Sequence, residues 1–234
     1  MTISTVAQTG STNADMLLMA ADGAAEGDWL RAERQTQGRG RLSRAWESPA
    51  GNLHCSTLVR LAPSDPPAAT LALVAAVVTH EALSAFAPGR LTIKWPNDIM
   101  AGPAKIAGML LERAGDAVVI GIGANVTGSP GGLDRPVTSL WELGAVSADA
   151  QALVEAIATG MQAWLARWRA EGVAAIRTAW IARAHPVGTP LSVALPDGAR
   201  IDGVYDGIAP EGALILRLAN GESRAIHAGD AFQL

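Results

Sequence analysis

The sequence holds little of the chemistry that disulfides, metal centres and membrane spans require. Its 234 residues include a single cysteine, Cys55, which excludes an intramolecular disulfide and fits a reducing compartment. The four histidines are scattered, without the spacing of a metal-ligand set. The most apolar run, residues 68–78, is too short to cross a bilayer, and no basic-then-apolar leader precedes residue 11. We therefore expect a soluble cytoplasmic protein with no metal held by its own side chains.

Lysine and net positive charge are scarce as well. The chain carries a formal net charge of −4, which argues against bulk binding of nucleic acid. Of its 18 lysines and arginines only two, Lys94 and Lys105, are lysines, so arginine is used wherever either would serve. Chance could account for this, but a lysine kept against such a bias is predicted to need the compact ammonium group. With 49% hydrophobic and 17% charged residues, the chain is able to bury a substantial core.

Residues 35–46 form the most unusual stretch of the sequence. Three arginines and two glycines fall within residues 38–44. Glycine lets the main chain approach a ligand closely, and the planar guanidinium suits carboxylate and phosphate. Taken alone, this stretch indicates either an anion-binding loop or a solvated basic loop with weak affinity for nucleic acid. Trp46, at its end, offers either a stacking face or a core side chain.

Hydrophobic periodicity and turn residues predict the remaining elements. Residues 11–13, Ser-Thr-Asn, are preferred at helix starts. Helices are predicted at residues 14–21, 68–86, 148–171 and 173–184, and strands at residues 29–34, 52–61, 90–95, 105–112 and 118–126. Pro-Asn-Asp at residues 96–98 predicts a turn. Beyond residue 186, short strands are predicted at residues 191–195, 200–208, 213–218 and 223–228. They indicate a small β-barrel, so the predicted domains are residues 1–186 and 187–234.

Five motifs occur in order along the chain and together carry a resemblance to a known family. They are Ser-Thr-Asn at 11–13, the Gly/Arg-rich residues 35–46, Lys-Trp-Pro-Asn-Asp at 94–98, Lys-Ile-Ala-Gly at 105–108 and Gly-Ile-Gly-Ala-Asn at 121–125. The set resembles the biotin protein ligases, and the resemblance extends over nearly the whole chain. It implies an α+β fold, with a mixed sheet and helices followed by a small C-terminal β-barrel of the Src-homology-3 kind.

The resemblance also implies a two-step reaction with biotin and ATP as substrates and Mg²⁺ as cofactor. Biotin would first become biotinyl-5′-AMP, with release of pyrophosphate. The acyl group would then pass to one lysine of a biotin carboxyl carrier domain in a biotin-dependent carboxylase. No DNA or membrane partner is expected, and the protein would be a monomer or a homodimer.

Individual roles follow from the same resemblance. Lys105 and Arg39 would be catalytic. The biotin-binding residues would be Ser11, Thr12, Asn13, Gln35, Gly38, Arg39, Gly40, Arg41, Lys105 and Gly108. The ATP-binding residues would be Arg41, Arg44, Trp46, Lys94, Asn97 and Asn125.

The sequence departs from the family pattern in its Gly/Arg loop. The family's loop commonly continues with a basic residue and a glycine, where this chain has Leu42 and Ser43. The loop therefore has one fewer cation and one fewer hinge, and the detail of its closure over a ligand stays open. Residues 1–10 also leave no room for the helix-turn-helix domain of some members, so a ligase without regulatory DNA binding is expected.

Three other functions remain open at this stage. Lipoate ligases share the architecture and the acyl-adenylate mechanism, although no lipoate-type motif is present. A nucleic-acid-binding module is the interpretation of the Gly/Arg loop alone. A non-catalytic biotin-binding protein would keep the ureido contacts without needing Lys94, Asn97 and Lys105.

Overall fold

The computed structural model describes residues 1–133 and 135–233, and in this part of the chain it shows four α-helices and twelve strands. The helices are α1 (Thr12–Ala21), α2 (Leu71–Ser84), α3 (Ala150–Glu171) and α4 (Val173–Ile181). The first seven strands are β1 (Ile3–Thr9), β2 (Trp29–Gln35), β3 (Leu53–Arg60), β4 (Thr92–Lys94), β5 (Asp98–Ala101), β6 (Ala104–Ala114) and β7 (Ala117–Ala124). The last five are β8 (Pro190–Ala194), β9 (Arg200–Ile208), β10 (Leu214–Arg217), β11 (Ser223–Ile226) and β12 (Asp230–Gln233).

The first seven strands form one mixed sheet in the order β1-β2-β3-β7-β6-β5-β4. Strand β1 runs parallel to β2, and all other neighbours in this sheet are antiparallel. Side chains alternate between the two faces of a strand, and those of β3 accordingly pack into two different clusters. Leu53 and Cys55 belong to the large core that α2, α3 and α4 cover, whereas Leu58 packs with Met16 of α1 in a smaller cluster. One face therefore carries the main core, and α1 covers the other.

The C-terminal strands form a second, fully antiparallel sheet in the order β11-β10-β9-β8-β12. This small domain packs against the first: the Trp95 indole donates to the Gly212 carbonyl at 3.2 Å. Leu191 and Tyr205 of the barrel and Trp180 of α4 belong to the same continuous core. The predicted fold class, a mixed sheet with helices plus a small C-terminal β-barrel, is confirmed. The domain boundary at residue 186 stays a prediction.

The predicted helices and strands are present, with ends shifted by a few residues. The helix predicted at residues 68–86 begins with a 3₁₀ turn, and α4 ends at Ile181 rather than near residue 184. Strands β1, β5 and β12 were not predicted. Strand β5 follows a proline at a position interpreted as a turn, β1 is a largely exposed edge strand, and β12 closes the barrel at the chain end. Among the helices described, none is both long and apolar enough to cross a membrane.

Candidate active site

A cleft lies where the start of α1, the middle of β6 and β7, and the Gly/Arg loop meet. It comprises about 690 Å³ of space, part of which is open to solvent. Its wall consists of Ser11, Thr12, Asn13, Gln35, Arg39, Gly40, Arg41, Arg44, Ala45, Trp46, Cys55, Asn97, Asp98, Lys105, Gly108, Met109, Leu110, Gly121, Ile122, Gly123, Arg135 and Asp230.

Glycines of β6 and β7 form the floor of this cleft. Gly108 and Gly123 face each other in the β6–β7 ladder. A Cβ atom on Gly123 would lie 2.4 Å from the Trp46 ring, and one on Gly108 would lie 2.7 Å from Lys105 Nζ. Glycine inside a strand permits this kind of close approach. The two glycines therefore let an aromatic ring and an ammonium group lie directly on the sheet.

The first turn of α1 forms a neutral, polar corner of the cleft. The Thr12 amide and hydroxyl both donate to Gln35 Oε1, at 2.9 and 3.1 Å, and the Ser56 hydroxyl donates to Thr12 Oγ1 at 2.8 Å. Ser11 occupies the N-cap position, but its side chain makes no capping hydrogen bond. Buried hydroxyl and amide groups, held in fixed orientations, suit a neutral ligand group that both donates and accepts.

Asn13 is fixed in the wall beside this corner. Its Nδ2 donates to Glu112 Oε2 at 2.8 Å and to the Leu110 carbonyl at 3.3 Å, while its Oδ1 accepts from Ser56 at 2.6 Å. The side chain lies against Gly121, where a Cβ would overlap it. Because both ends of the amide are engaged, Asn13 mainly orients the corner.

Two lysines and one carboxylate form the charged end of the cleft. Lys105 Nζ lies 2.5 Å from Asp98 Oδ1, and Lys94 Nζ lies 3.8 Å from Asp98 Oδ2. Burial lowers the pKa of the Lys105 ammonium, and the adjacent Asp98 opposes that shift. Lys105 Nζ also lies 5.4 Å from the centre of the Trp46 ring. Lys105 is thus a buried cation held between a carboxylate and an aromatic face.

The Gly/Arg loop folds back on itself over the cleft. The Gly40 amide donates to the Arg44 carbonyl at 2.8 Å, and the Trp46 amide donates to the Gly38 carbonyl at 2.9 Å. Leu42, at the tip, has a φ of 54°, a conformation that favours glycine. These bonds bring the three arginines of the loop to one side of the cleft.

Each of those arginines contacts a carboxylate from outside the loop. Arg39 pairs with Glu112 of β6 at 3.2 Å. Arg41 pairs with Asp230 of the barrel at 3.1 Å, and Arg44 pairs with the same carboxylate at 2.8 Å. The loop is therefore attached to the first sheet at one end and to the barrel at the other.

Most of the residues predicted from the sequence come together in this wall, and three do not line it. Lys94 lies beside it through Asp98. Asn125 is buried and donates to the Thr138 carbonyl at 3.0 Å, which orients the following loop. At Gly38 a Cβ would lie 2.4 Å from the Trp46 carbonyl, so its role in the structure is to let the loop close on itself. A ligand contact at these three positions stays a prediction.

Several wall residues were not predicted. Asp98 and Gly123 lie within recognised motifs, and membership of those motifs is the signal that could have identified them. Asp230 and Arg135 come from distant segments, and no local pattern marks them. Cys55 contributes from β3, and burial raises the pKa of its thiol, which keeps it protonated.

The cleft contains no ready-made metal cage. Within residues 1–133 and 135–233, no group of three or more histidine, cysteine, aspartate and glutamate side chains is arranged to hold a metal ion. Asp98 and Asp230 are each paired with two cations.

The fold and the cleft together define a class of protein. A neutral polar corner and a cationic end share one glycine-floored cleft, under an arginine loop. Guanidinium and ammonium groups in partly buried surroundings stabilise phosphate charge. This is the arrangement of an enzyme that binds a small molecule and a phosphorylated reactant side by side.

Comparison with known proteins identifies the family. A profile described as the Biotin/lipoate A/B protein ligase family matches residues 8–125, and one described as the Biotin protein ligase C terminal domain matches residues 192–233. A biotin–[acetyl-CoA-carboxylase] ligase of Paracoccus denitrificans is 39% identical over 225 residues, covering 91% of this chain and 92% of its own. The Mycobacterium tuberculosis protein of the same name is 36% identical, covering 98% of this chain and 88% of its own. The chain belongs to the biotin protein ligase family.

A solved structure agrees with this family at the level of the fold. The biotin protein ligase of Aquifex aeolicus, in complex with biotin and ATP, superposes with a TM-score of 0.85. The match covers 99% of this chain and 97% of that one, at 23% sequence identity. The shared architecture therefore includes both the mixed sheet and the C-terminal barrel.

Proposed function

We propose that this chain is an ATP-dependent biotin protein ligase that makes biotinyl-5′-AMP and transfers biotin to a lysine of a biotin carboxyl carrier domain. The observation that carries the proposal is the pairing, in one cleft, of a neutral polar corner with the buried Lys105 ammonium. Biotin has the matching form, with a neutral ureido ring at one end and a carboxylate at the other. The names of the Paracoccus and Mycobacterium relatives support the same acceptor class.

The ureido ring would bind at the start of α1. It offers two N–H donors and one carbonyl acceptor, which suit hydroxyl and amide partners better than charges. Ser11, Thr12 and Gln35 supply those partners, and the hydrogen bonds between Thr12 and Gln35 already fix their orientation. The apolar ring and chain of biotin would then extend from this corner towards the Lys105 ammonium.

The carboxylate and the α-phosphate would meet at the charged end. Attack of the biotin carboxylate oxygen on the α-phosphorus forms the mixed anhydride and releases pyrophosphate. The two reactants are both anions, so fixed cations are needed to offset their repulsion and stabilise the charge on the transferring phosphorus. Lys105 is the most buried cation of the wall, Lys94 shares the Asp98 carboxylate with it, and Arg41 and Arg44 line the same cleft.

The arginine loop would protect the intermediate. A mixed anhydride is lost to hydrolysis, so a cover that excludes water preserves it. The loop lies over the cleft through its pairs with Glu112 and Asp230, and Trp46 closes one side. ATP would enter as its magnesium complex. In the second step the acceptor lysine attacks the acyl carbon, an amide forms and AMP leaves.

The test is biotin-dependent exchange of labelled pyrophosphate into ATP. Exchange with biotin, and not with lipoate or octanoate, supports biotin adenylation and separates this protein from lipoate ligases. Transfer is then measured as biotin incorporated into a purified carrier domain, with a carrier whose acceptor lysine is replaced by arginine as the control. A protein that binds biotin tightly and gives no exchange would be a binding protein, and the proposal would be wrong.

A further inference from the structure

The C-terminal barrel contributes an acidic side chain to the cleft. Asp230 is the first residue of β12, and the β12–β8 ladder fixes its backbone opposite Ala194. The preceding Gly229 has a φ of 153°, and a Cβ there would lie 2.7 Å from the Ala194 carbonyl. Backbone geometry therefore sets where the Asp230 carboxylate points, and it points into the wall of the cleft.

The Asp230 carboxylate binds two arginines, one with each oxygen. Arg41 NH1 lies 3.1 Å from Oδ1, and Arg44 NH2 lies 2.8 Å from Oδ2. Arg41 is held further by the Gly229 carbonyl at 3.1 Å and by Asn97 Oδ1 at 3.4 Å. The Asp230 side chain is 18% exposed and that of Arg41 is 26% exposed, so solvent screens this pair less than a surface pair.

We propose that Asp230 is a positioning residue for ATP, through which the barrel holds Arg41 and Arg44 at the phosphate end of the cleft. The inference rests on the proposed function. A free arginine side chain loses rotamer entropy when it binds a phosphate. When Asp230 holds both guanidiniums in place, that cost is met before the nucleotide arrives, and the cluster keeps a net positive charge.

Donor geometry shows that the held arginines can still bind an anion. A guanidinium carries five N–H donors, and the contacts to Asp230, Gly229 and Asn97 engage three of those of Arg41. Arg44 is half-exposed, and its contact with Asp230 is through NH2. Both side chains thus keep donors for a phosphate oxygen while remaining attached to the barrel.

The same geometry also allows the opposite effect on ATP binding, and an experiment distinguishes the two effects. Because Asp230 itself lines the cleft, its charge could compete with phosphate for the arginines. If it competes, removing the charge would strengthen ATP binding; if it positions, removing the charge would weaken it. The sign of the change in the half-saturating ATP concentration therefore decides between the two.

The test compares Asp230→Asn with two matched variants in the full-length enzyme. Asp230→Asn keeps the size and removes the charge, and Asp230→Glu keeps the charge. Asp206→Asn removes a carboxylate elsewhere in the barrel, where it lies 3.9 Å from Arg217. We expect Asp230→Asn to raise KM for ATP about tenfold, the effect of one charge-assisted hydrogen bond, with little change in kcat or in KM for biotin. Asp230→Glu should recover much of the loss, and Asp206→Asn should match the wild type. An unchanged or lower KM for ATP in Asp230→Asn would overturn the proposal.

A second measurement does not need activity. Amide hydrogen exchange at residues 37–46 of the ligand-free protein should speed up in Asp230→Asn and stay unchanged in Asp206→Asn. Unchanged exchange in Asp230→Asn would show that the barrel does not hold the loop, which also overturns the proposal. If the wild type gave no pyrophosphate exchange, the proposed function would fail, while this measurement would still show whether Asp230 holds the loop.

Discussion

Two lysines share one carboxylate at the charged end of the cleft, and their surroundings differ. Lys105 lies 2.5 Å from Asp98 with its side chain 11% exposed, whereas Lys94 lies 3.8 Å away with its side chain 18% exposed. Lys105 also lies tightly over Gly108 and near Trp46. An ammonium fits this space as a compact point charge, and a guanidinium is larger and planar.

Lys105→Arg is therefore expected to reduce the pyrophosphate-exchange rate by about a hundredfold or more, although it keeps the charge, since a misplaced catalytic cation loses most of its electrostatic benefit. The matched control is Lys94→Arg, which should lose much less because its contact with Asp98 is longer. The rates of both variants are compared with the wild type at saturating biotin and ATP. Near-normal exchange by Lys105→Arg would contradict the assigned role.

His54 is a buried imidazole of β3 whose titration bears on stability. Burial lowers the pKa of His54 to about 4, and the positive charge of Arg31 adds to the shift. In the unfolded chain a histidine has a pKa near 6.5. Above that value both states are neutral and the full stability is present. As the pH falls from about 6.5 to 4, the unfolded state binds a proton that the folded state does not, so stability is lost.

The expected loss attributable to His54 between pH 7 and 4 is about 3 kcal/mol, because at pH 4 the unfolded imidazole is almost fully protonated and the folded one is about half protonated. His54→Gln should make the urea-unfolding free energy fall less steeply over that range. His227, which is exposed, provides a control for the replacement of a histidine by glutamine outside the core. Equal slopes for His54→Gln and the wild type would show that His54 is not the group responsible.

At the scale of elements, the arginine loop is held unevenly. Arg41 has three partners, Asp230, Gly229 and Asn97, while Arg39 has an ion pair with Glu112 and a side chain that is 47% exposed. Removing Arg41 should therefore loosen the cover more than removing Arg39. A lost charge-assisted hydrogen bond corresponds to roughly ten- to a hundredfold in the population of the closed loop.

Arg39→Gly should still form biotinyl-adenylate and release it early. Arg41→Gly should release a larger share of the adenylate that it makes, although it makes adenylate more slowly because Arg41 also lies at the phosphate end of the cleft. The released anhydride would then acylate lysines on unrelated proteins. Each variant is incubated with biotin and Mg-ATP, with a bystander protein beyond a dialysis membrane, and biotin on the bystander is measured by blotting. Loss of adenylation without bystander labelling would mean that these arginines serve the chemistry itself.

The element scale also shows what the sequence could and could not reveal about the fold. Helices α2 and α3 were predictable because long apolar or amphipathic runs have no other good conformation in a domain of this size. Strands β5 and β12 are four residues each, too short for a periodic pattern, and their pairing depends on partners far along the chain. Leu42 was recognised as a departure from the family loop, but its left-handed backbone conformation, with a φ of 54°, was not predicted from the sequence.

The site was predictable to the extent that it is local. Lys105, Gly108 and Asn97 lie in continuous motifs, so their proximity follows from two adjacent strands. The carboxylates that hold the loop could not be identified in this way. Asp230 lies 189 residues from Arg41 in sequence, and only the docking of the barrel brings the two together.

At the scale of the whole molecule, the two domains share a core. Trp180, Leu191 and Tyr205 belong to one buried cluster that extends across the junction near residue 186, together with the interior of the large sheet. Separating the domains would expose these apolar side chains at a cost of roughly 25 cal/mol per Å². Packing against the barrel therefore contributes to the stability of the larger, mixed-sheet part of the chain.

We therefore expect a single cooperative unfolding transition, with coincident curves from far-ultraviolet circular dichroism and tryptophan fluorescence and with equal calorimetric and van't Hoff enthalpies. Two resolved transitions would show that the barrel unfolds independently. In that case the boundary near residue 186 would separate two units that are thermodynamically autonomous.

The scarcity of lysine limits how far the enzyme can acylate its own side chains. Under the proposed function, every turnover of the enzyme generates an acylating reagent that primary amines can attack. Its two lysine amines are both enclosed, with side chains 18% and 11% exposed and each ion-paired to Asp98, so neither is presented at the surface. After prolonged turnover without an acceptor, mass spectrometry should find Lys94 and Lys105 unmodified, because each ammonium is ion-paired to Asp98, so the enzyme is spared inactivation by its own product.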